Sequence, residues 1–163
     1  MRLINTHTLA MSEFFDAGIP PYAILSHTWG SDEISFQDWQ AISEFDNLEA
    51  TLDSSEKELF AASWSAAQQR KKVQSLKTKS GFDKILRFCQ LAKSRDLEWA
   101  WIDTCCIDKT SSAELSEAIN SMFGWYARSQ HCFVYLLDLP GGISLYGAAW
   151  EKAFRESKWF TRG

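Results

Sequence analysis

The feature that most constrains the fold of this chain is a set of three apolar runs that are continuous rather than alternating. They read YAILS (22–26), LEWAWIDTC (97–105) and CFVYLLDL (132–139). Strands that are covered on both faces have this pattern, because the side chains on each face are then buried. The runs therefore predict three strands of a sheet with helices on both faces.

One helical pattern lies between the first and second runs, and another lies between the second and third runs. SGFDKILRFCQLAKSR has apolar residues at helical spacing, with Ser80 as the expected N-cap and Asp83 placed to close a capping box. SSAELSEAINSMFGWYARS repeats this arrangement with Ser111 and Glu114. Alternating strands and helices predict right-handed crossovers, and so a three-layer α/β fold with a parallel sheet.

Residues 44–79 differ in composition from the rest of the chain, since they are rich in Ala, Glu, Gln and Lys. Such residues favour helix, so this segment is predicted to be a helical insertion after the loop that follows the first strand. Its basic end fits a solvated helix face, or a contact with an acidic partner or a phosphate, and the solvated face is the more frequent case. The basic residues are Arg70, Lys71, Lys72, Lys77 and Lys79.

Composition limits the classes of function. Hydrophobic residues make up 45% of the chain and aromatic residues 14%, which predicts a single folded domain over residues 1–163. A net charge of -4 argues against a nucleic-acid partner. No apolar stretch approaches the ~18 residues of a membrane helix, and the first residues lack the apolar core of a signal peptide, so no membrane partner is expected.

The four cysteines are Cys89, Cys105, Cys106 and Cys132, and they contain no C-x-x-C pair. We therefore expect reduced thiols, mostly in the core of a cytoplasmic protein, and no metal site. Cys105 or Cys106 as a nucleophile activated by His27 is a minor alternative, because no third residue that would orient the base can be identified.

Polar residues collect where the apolar runs end. Ligands of open parallel sheets bind at the carboxyl ends of the strands, so these residues predict a cleft at that edge of the sheet. The candidates are Ser26, His27, Thr28, Trp29, Gly30, Glu33, Asp103, Asp108 and Lys109.

Residues after the first run also have ordinary structural explanations. Ser26 and Thr28 suit turns, and Gly30 suits a backbone conformation with positive φ. His27 in such a position is more often a hydrogen-bonded structural residue than a catalyst. Trp29 can cover the edge of the core or stack on a flat ring.

The carboxylates leave similar alternatives open. Glu33 fits equally an acceptor for a ribose hydroxyl or a surface acid. Asp103 directly follows the apolar WAWI, and it fits equally a site at the mouth of the strand or a cap for the next loop. Asp108 and Lys109 fit an exposed ion pair of little energetic value.

Three blocks of the sequence together resemble the fungal heterokaryon incompatibility (HET) domain. They are YAILSHTWGSDEISFQDW, the stretch from GFDKILRFCQ to CFVYLLDL, and SKWFTRG. The resemblance implies a fold like that of Toll/interleukin-1 receptor (TIR) domains, with a flavodoxin-like parallel sheet, and a role in non-self recognition and programmed cell death. It also implies cleavage of NAD+ at the nicotinamide–ribose bond after self-association or contact with a partner signalling protein. NAD+ would be the substrate, and no cofactor is implied.

The same resemblance assigns roles to the strand-end residues. Glu33 and Asp103 become the candidate catalytic residues, and the candidate substrate-binding residues are Ser26, His27, Thr28, Trp29, Gly30, Asp108 and Lys109. In the family, the expected catalytic glutamate follows the RG that ends this sequence, so the C-terminal part of the family domain is expected to lie beyond Gly163. The alternative function is a non-catalytic signalling and assembly module. Its candidate anchors are Trp64, Trp150 and Trp159, for which burial in the core is the more frequent case.

Overall fold

The computed structural model describes residues 1–139 and 147–161, and within them five strands form one mixed sheet. The strands are β1 (Arg2–Asn5), β2 (Met11–Glu13), β3 (Tyr22–His27), β4 (Trp99–Trp101) and β5 (His131–Tyr135). Their order is β2-β1-β4-β3-β5. The three predicted strands form the parallel part, because β3 pairs in parallel with both β4 and β5.

The prediction of an α/β fold is confirmed, whereas the prediction of a wholly parallel sheet is wrong. An N-terminal hairpin extends the sheet, with β1 antiparallel to both β2 and β4. Its strands read RLIN and MSE. They are too short and too polar to form a continuous apolar run, which is why the pattern did not reveal them.

The helices are α1 (Phe36–Thr51), α2 (Ser54–Ala62), α3 (Trp64–Lys77), α4 (Ser80–Lys93), α5 (Asp103–Cys106), α6 (Ser112–Arg128), α7 (Ala148–Arg155) and α8 (Lys158–Thr161). The predicted helical insertion is helical and contributes Phe45, Val73 and Leu76 to the core. At its basic end, Arg70 and Lys77 form ion pairs with acidic residues of α1. Across the two described stretches, no helix has both the length and the apolar character needed to cross a bilayer.

Two strands are shorter than the apolar runs that predicted them. The second run leaves the sheet after Trp101, and Asp103–Cys106 form a helical turn in which the Cys106 N–H donates to the carbonyl of Ile102. The third run leaves the sheet after Tyr135. Most residues of β5 are exposed, so this edge strand is not covered on both faces as predicted. An apolar run alone therefore fixes neither where a strand ends nor whether both of its faces are covered.

The starts of the two predicted helices differ in how they are capped. Ser111 caps α6 as predicted, since its Oγ accepts from the Glu114 N–H at 3.3 Å. Glu114 does not close the predicted capping box, because its carboxylate accepts from the Asp108 N–H at 2.8 Å instead. The predicted cap at Ser80 is wrong, because α4 begins at Ser80 and its N-cap residue is Lys79. Asp32 replaces it from a distant loop, as its Oδ2 accepts from the Ser80 N–H at 3.0 Å.

Helices pack on both faces of the sheet, as predicted. Phe88 of α4 contacts Phe133 on one face, with ring centroids 5.9 Å apart, and Trp125 of α6 contacts Trp101 on the other, at 5.5 Å. Phe133 and Trp101 pair with adjacent residues of β3, which point to opposite faces. The helices that follow β3 and β4 therefore lie on opposite sides of the sheet. The carboxyl ends of these two parallel strands lie at one edge of the sheet, the edge where ligands bind in open α/β sheets.

Candidate functional site

His27 lies at the centre of a polar cluster at the carboxyl ends of β3 and β4. It is the last residue of β3, and its Nε2 lies 2.8 Å from Oδ1 of Asp103, the first residue of α5. The indole N–H of Trp29 donates to Oδ2 of the same carboxylate at 2.8 Å. One carboxylate therefore orients both aromatic side chains.

Lys84 forms the other half of the cluster. Its Nζ lies 3.0 Å from Nδ1 of His27 and 2.5 and 2.6 Å from the two carboxylate oxygens of Glu33. The Gly30 N–H donates to Glu33 Oε1 at 2.8 Å. The cluster is thus a continuous series of polar contacts that runs from Glu33 through Lys84, His27 and Asp103 to Trp29.

A close approach between α4 and the loop after β3 holds this arrangement. A Cβ added at Gly81 would lie 2.5 Å from the Asp32 carbonyl oxygen and 2.8 Å from the Glu33 Cα. Glycine is therefore required for this contact. Because Lys84 follows Gly81 by about one helical turn, the same contact brings its side chain to Glu33.

Asp103 is ionised at neutral pH. Burial is the largest influence and raises the pKa of this carboxyl, but the hydrogen bond with His27, the charge of Lys109 and the indole N–H of Trp29 outweigh it. The net result is a pKa below the ordinary value. Lys109 lies over the Trp29 ring, with Nζ 3.5 Å from the centroid, and burial lowers its pKa while Asp103 opposes the change.

The cluster borders a cleft of about 510 Å³. Its lining includes residues from the ends of two strands and from α6, namely Ser26, His27, Thr28, Trp29, Asp103, Met122 and Tyr126. A larger depression of about 950 Å³ lies against α7 and contains none of the predicted site residues. Its charged residues, Glu151 and Arg155, neutralise each other in an ion pair at 2.8 Å. The strand-end cleft is therefore the better candidate site.

The remaining predicted residues lie around the cleft or away from it. Glu33 is linked to Nδ1 of His27 through Lys84, and the Gly30 N–H donates to Glu33. Gly30 does not have the positive φ that was expected, and an added Cβ would make only ordinary contacts there. Asp108 lies outside the cleft lining, and its carboxylate accepts from Gln37 at 2.6 Å rather than pairing with its neighbour in sequence.

The buried thiols argue against the alternative of a cysteine nucleophile. Cys105 and Cys106 are both buried, and burial raises the pKa of the Cys105 thiol well above its ordinary value. The thiolate that would act as a nucleophile is therefore strongly disfavoured. The ring of His27 points its two nitrogens at Asp103 and Lys84 instead.

Sequence reasoning missed Lys84. A lysine between Phe82 and Ile85, on the apolar stripe of α4, was the available signal, because lysine is almost never buried unless it is paired. Lys84 is 7% exposed.

Trp159 was also missed as a neighbour of the cleft. Its indole N–H donates to Oγ of Ser26 at 3.2 Å. Asp138, at the end of the third run, holds this segment by accepting from Ser157 Oγ and the Lys158 N–H, both at 2.7 Å. The SKWFTRG block therefore contacts the edge of the site, although residues 162–163 of that block lie outside the described part of the chain.

Comparison with known proteins gives two findings. The sequence profile of the family described as "Heterokaryon incompatibility protein (HET)" matches residues 22–140. Over 150 residues the chain is 41% identical to "Vegetative incompatibility protein HET-E-1" of Podospora anserina, an alignment that covers 89% of this chain and 9% of that protein. The chain thus spans less than a tenth of the length of this relative. No solved structure matches the chain.

Proposed function

Because this chain belongs to the heterokaryon incompatibility (HET) family, we propose that it acts in fungal non-self recognition as a module that triggers programmed cell death. The similarity to a protein named for vegetative incompatibility supports this role. We place its action in the cytoplasm, a compartment suited to four cysteines that form no disulfide, three of them buried.

We propose further that the strand-end cleft cleaves NAD+ at the nicotinamide–ribose bond. The observation that carries this proposal is the Asp103 carboxylate, held by His27 and Trp29 at the edge of the cleft with its pKa lowered. Glycosidic cleavage passes through an oxocarbenium-like state, which a fixed negative charge stabilises. Nicotinamide departs from a cationic ring, so its departure requires no strong general acid.

The geometry favours Asp103 over Glu33 as the catalytic carboxylate. Both oxygens of Glu33 contact Lys84, and Glu33 does not border the cleft. Asp103 borders the cleft directly. We therefore assign chemistry to Asp103 and a supporting role to Glu33.

A TIR-like, flavodoxin-like core is part of the proposal. Its support is the parallel β4-β3-β5 unit with helices on both faces and its strand order, which matches the first three strands of the flavodoxin-like order 2-1-3-4-5. The antiparallel β1–β2 hairpin is an addition to that core.

The test incubates NAD+ with this chain at high concentration and, separately, with the natural gene product that contains it. Chromatography measures the nicotinamide that is released. Asp103→Asn should lower the rate about 10²- to 10³-fold, the loss typical of one transition-state electrostatic group. The matched control is Asp96→Asn, at an exposed position with φ of 57° that asparagine also tolerates. No release by the wild-type natural gene product, or equal rates for the two variants in it, would refute the enzymatic proposal.

An assembly module is the second candidate, and exposed apolar side chains support it. Trp64 is 78% exposed, contrary to the expectation of burial, and Phe123 and Ile119 of α6 are 85% and 61% exposed. Trp150 and Trp159, the other expected anchors, are partly buried. Under this proposal Asp103→Asn still triggers cell death. Trp64→Ser or Phe123→Ser abolishes self-association, measured by sedimentation, and also abolishes cell death.

A further inference from the structure

Lys84 is a buried lysine for which the reaction itself has no evident use. We propose that Lys84 is a positioning residue, which fixes His27 in the tautomer that directs its ring hydrogen from Nε2 to Asp103. The effect on catalysis rests on the proposed function, whereas the tautomer can be tested without it.

The inference follows from counting donors and acceptors around Lys84. An ammonium group has three donors and no acceptor. Its three neighbouring acceptors are the two oxygens of Glu33, at 2.5 and 2.6 Å, and Nδ1 of His27, at 3.0 Å. Nδ1 must therefore accept, so the neutral ring has its hydrogen on Nε2.

That hydrogen has an acceptor in position, since Nε2 lies 2.8 Å from Asp103 Oδ1. Trp29 donates to the other oxygen at 2.8 Å. The carboxylate consequently receives one N–H on each oxygen, which sets its orientation at the cleft. Lys84 acts on Asp103 entirely through the imidazole between them.

Glu33 makes this use of a buried lysine possible. The side chain of Lys84 is 7% exposed and that of Glu33 16%, and an unpaired charge at such a site is strongly unfavourable. Glu33 neutralises the ammonium and is held in turn by the Gly30 N–H. With Lys84 removed, Glu33 Oε1, 3.9 Å from His27 Nδ1, becomes the nearest charged group on that side of the ring.

The test reads the tautomer directly by long-range ¹H–¹⁵N NMR of the histidine rings. The chain has three histidines, and His27→Gln assigns the relevant signals. In the wild type we expect a neutral ring protonated at Nε2. In Lys84→Met we expect hydrogens on both ring nitrogens, because Nδ1 then faces Glu33 while Nε2 still faces Asp103. Lys84→Arg, which keeps a charged donor, should preserve the wild-type pattern.

Lys77→Met is the matched control, because it removes a lysine that pairs with Asp46, and neither residue lines the cleft. Where Lys84→Met alone fails to fold, the double variant Glu33→Leu with Lys84→Met removes both charges and restores an uncharged packing. In that variant neither Glu33 nor Lys84 places a charge near Nδ1 while Nε2 still faces Asp103, so we expect a neutral ring with its hydrogen on Nε2. A wild-type ring protonated at Nδ1, a Lys84→Met ring that keeps a hydrogen on Nε2 alone, or a double-variant ring with hydrogens on both nitrogens overturns the proposal.

Nicotinamide release gives the second readout. We expect Lys84→Met to lower the rate about tenfold or more, as for other residues that orient a functional group through a hydrogen bond. Lys84→Arg should retain part of the wild-type rate. If the wild type releases no nicotinamide while the hydrogens of the His27 ring change as expected, the enzymatic proposal fails and the positioning role of Lys84 stands. If release is unaffected by Lys84→Met and the tautomer is unchanged, Lys84 serves stability alone.

Discussion

Nε2 of His27 lies 2.8 Å from Oδ1 of Asp103, although 76 positions separate the two residues. The parallel register between β3 and β4 explains this proximity, since Ile24 pairs with Trp101 and each strand ends within a few residues of that pair. The site is therefore a product of strand pairing, and changes to residues that support this pairing should alter the site in measurable ways.

The contribution of Asp103 to stability should depend on pH. Its pKa in the folded state lies below the ordinary value of 3.8, so the stabilisation is fully present above that value and is lost as the pH falls through the folded pKa. We expect Asp103→Asn to lower the free energy of unfolding at pH 7 by about 1–3 kcal/mol. The difference from the wild type should shrink below about pH 3.8. Urea titrations from pH 2 to 7 measure it, with Asp96→Asn as the control, and a difference independent of pH would contradict the prediction.

Trp29→Phe should raise the pKa of Asp103 and have little effect on the stability of the fold. The side chain is 58% exposed, so we expect a loss of less than about 1 kcal/mol. The substitution removes the N–H that helps to lower the pKa of Asp103, and that pKa should rise. A ¹³C NMR titration of the Asp103 carboxyl measures the change. Trp64→Phe, at an exposed position away from the cleft, should leave it unaltered.

Gly81→Ala should destabilise the protein even though alanine favours helix. An added Cβ would lie 2.5 Å from the Asp32 carbonyl oxygen, so the loop or α4 must move, at a cost of about 1–3 kcal/mol. Movement here also separates Lys84 from Glu33. Gly18→Ala is the control, because nothing lies within 4 Å of an added Cβ at that position. Thermal unfolding compares the two, and equal stability would show that the contact is not tight.

The thiols should react in two classes. Cys132 is exposed, whereas Cys89, Cys105 and Cys106 are buried. Burial also raises the pKa of Cys89 to about 12, so its reactive thiolate is scarce at any pH used for labelling. We expect one fast-reacting thiol in the native protein and four after denaturation. Cys132→Ser should abolish the fast reaction, and fast labelling of Cys105 or Cys106 would revive the nucleophile alternative.

The sequence by itself determined the class of fold and the edge of the sheet where the candidate site lies. The apolar runs around Ile24, Trp101 and Phe133 mark strands, and the polar residues that follow them mark the strand ends. Both signals are local, because each depends on the neighbours of a residue in the chain. The same locality explains the errors, since a short hairpin such as β1–β2 has no continuous apolar run, and a run such as WAWIDTC does not indicate where extended backbone turns into helix.

The tertiary structure alone decided which polar groups meet. Lys84 reaches His27 because Gly81 lets α4 approach the loop of Glu33, and Asp32 caps that helix in place of Ser80. Asp108, next to the site in sequence, lies outside it. Hydrogen bonds and ion pairs act over about 3 Å and depend on direction. Their partners are consequently set by the packing of whole elements, and a pattern in the chain can place a residue at the site without showing what it touches.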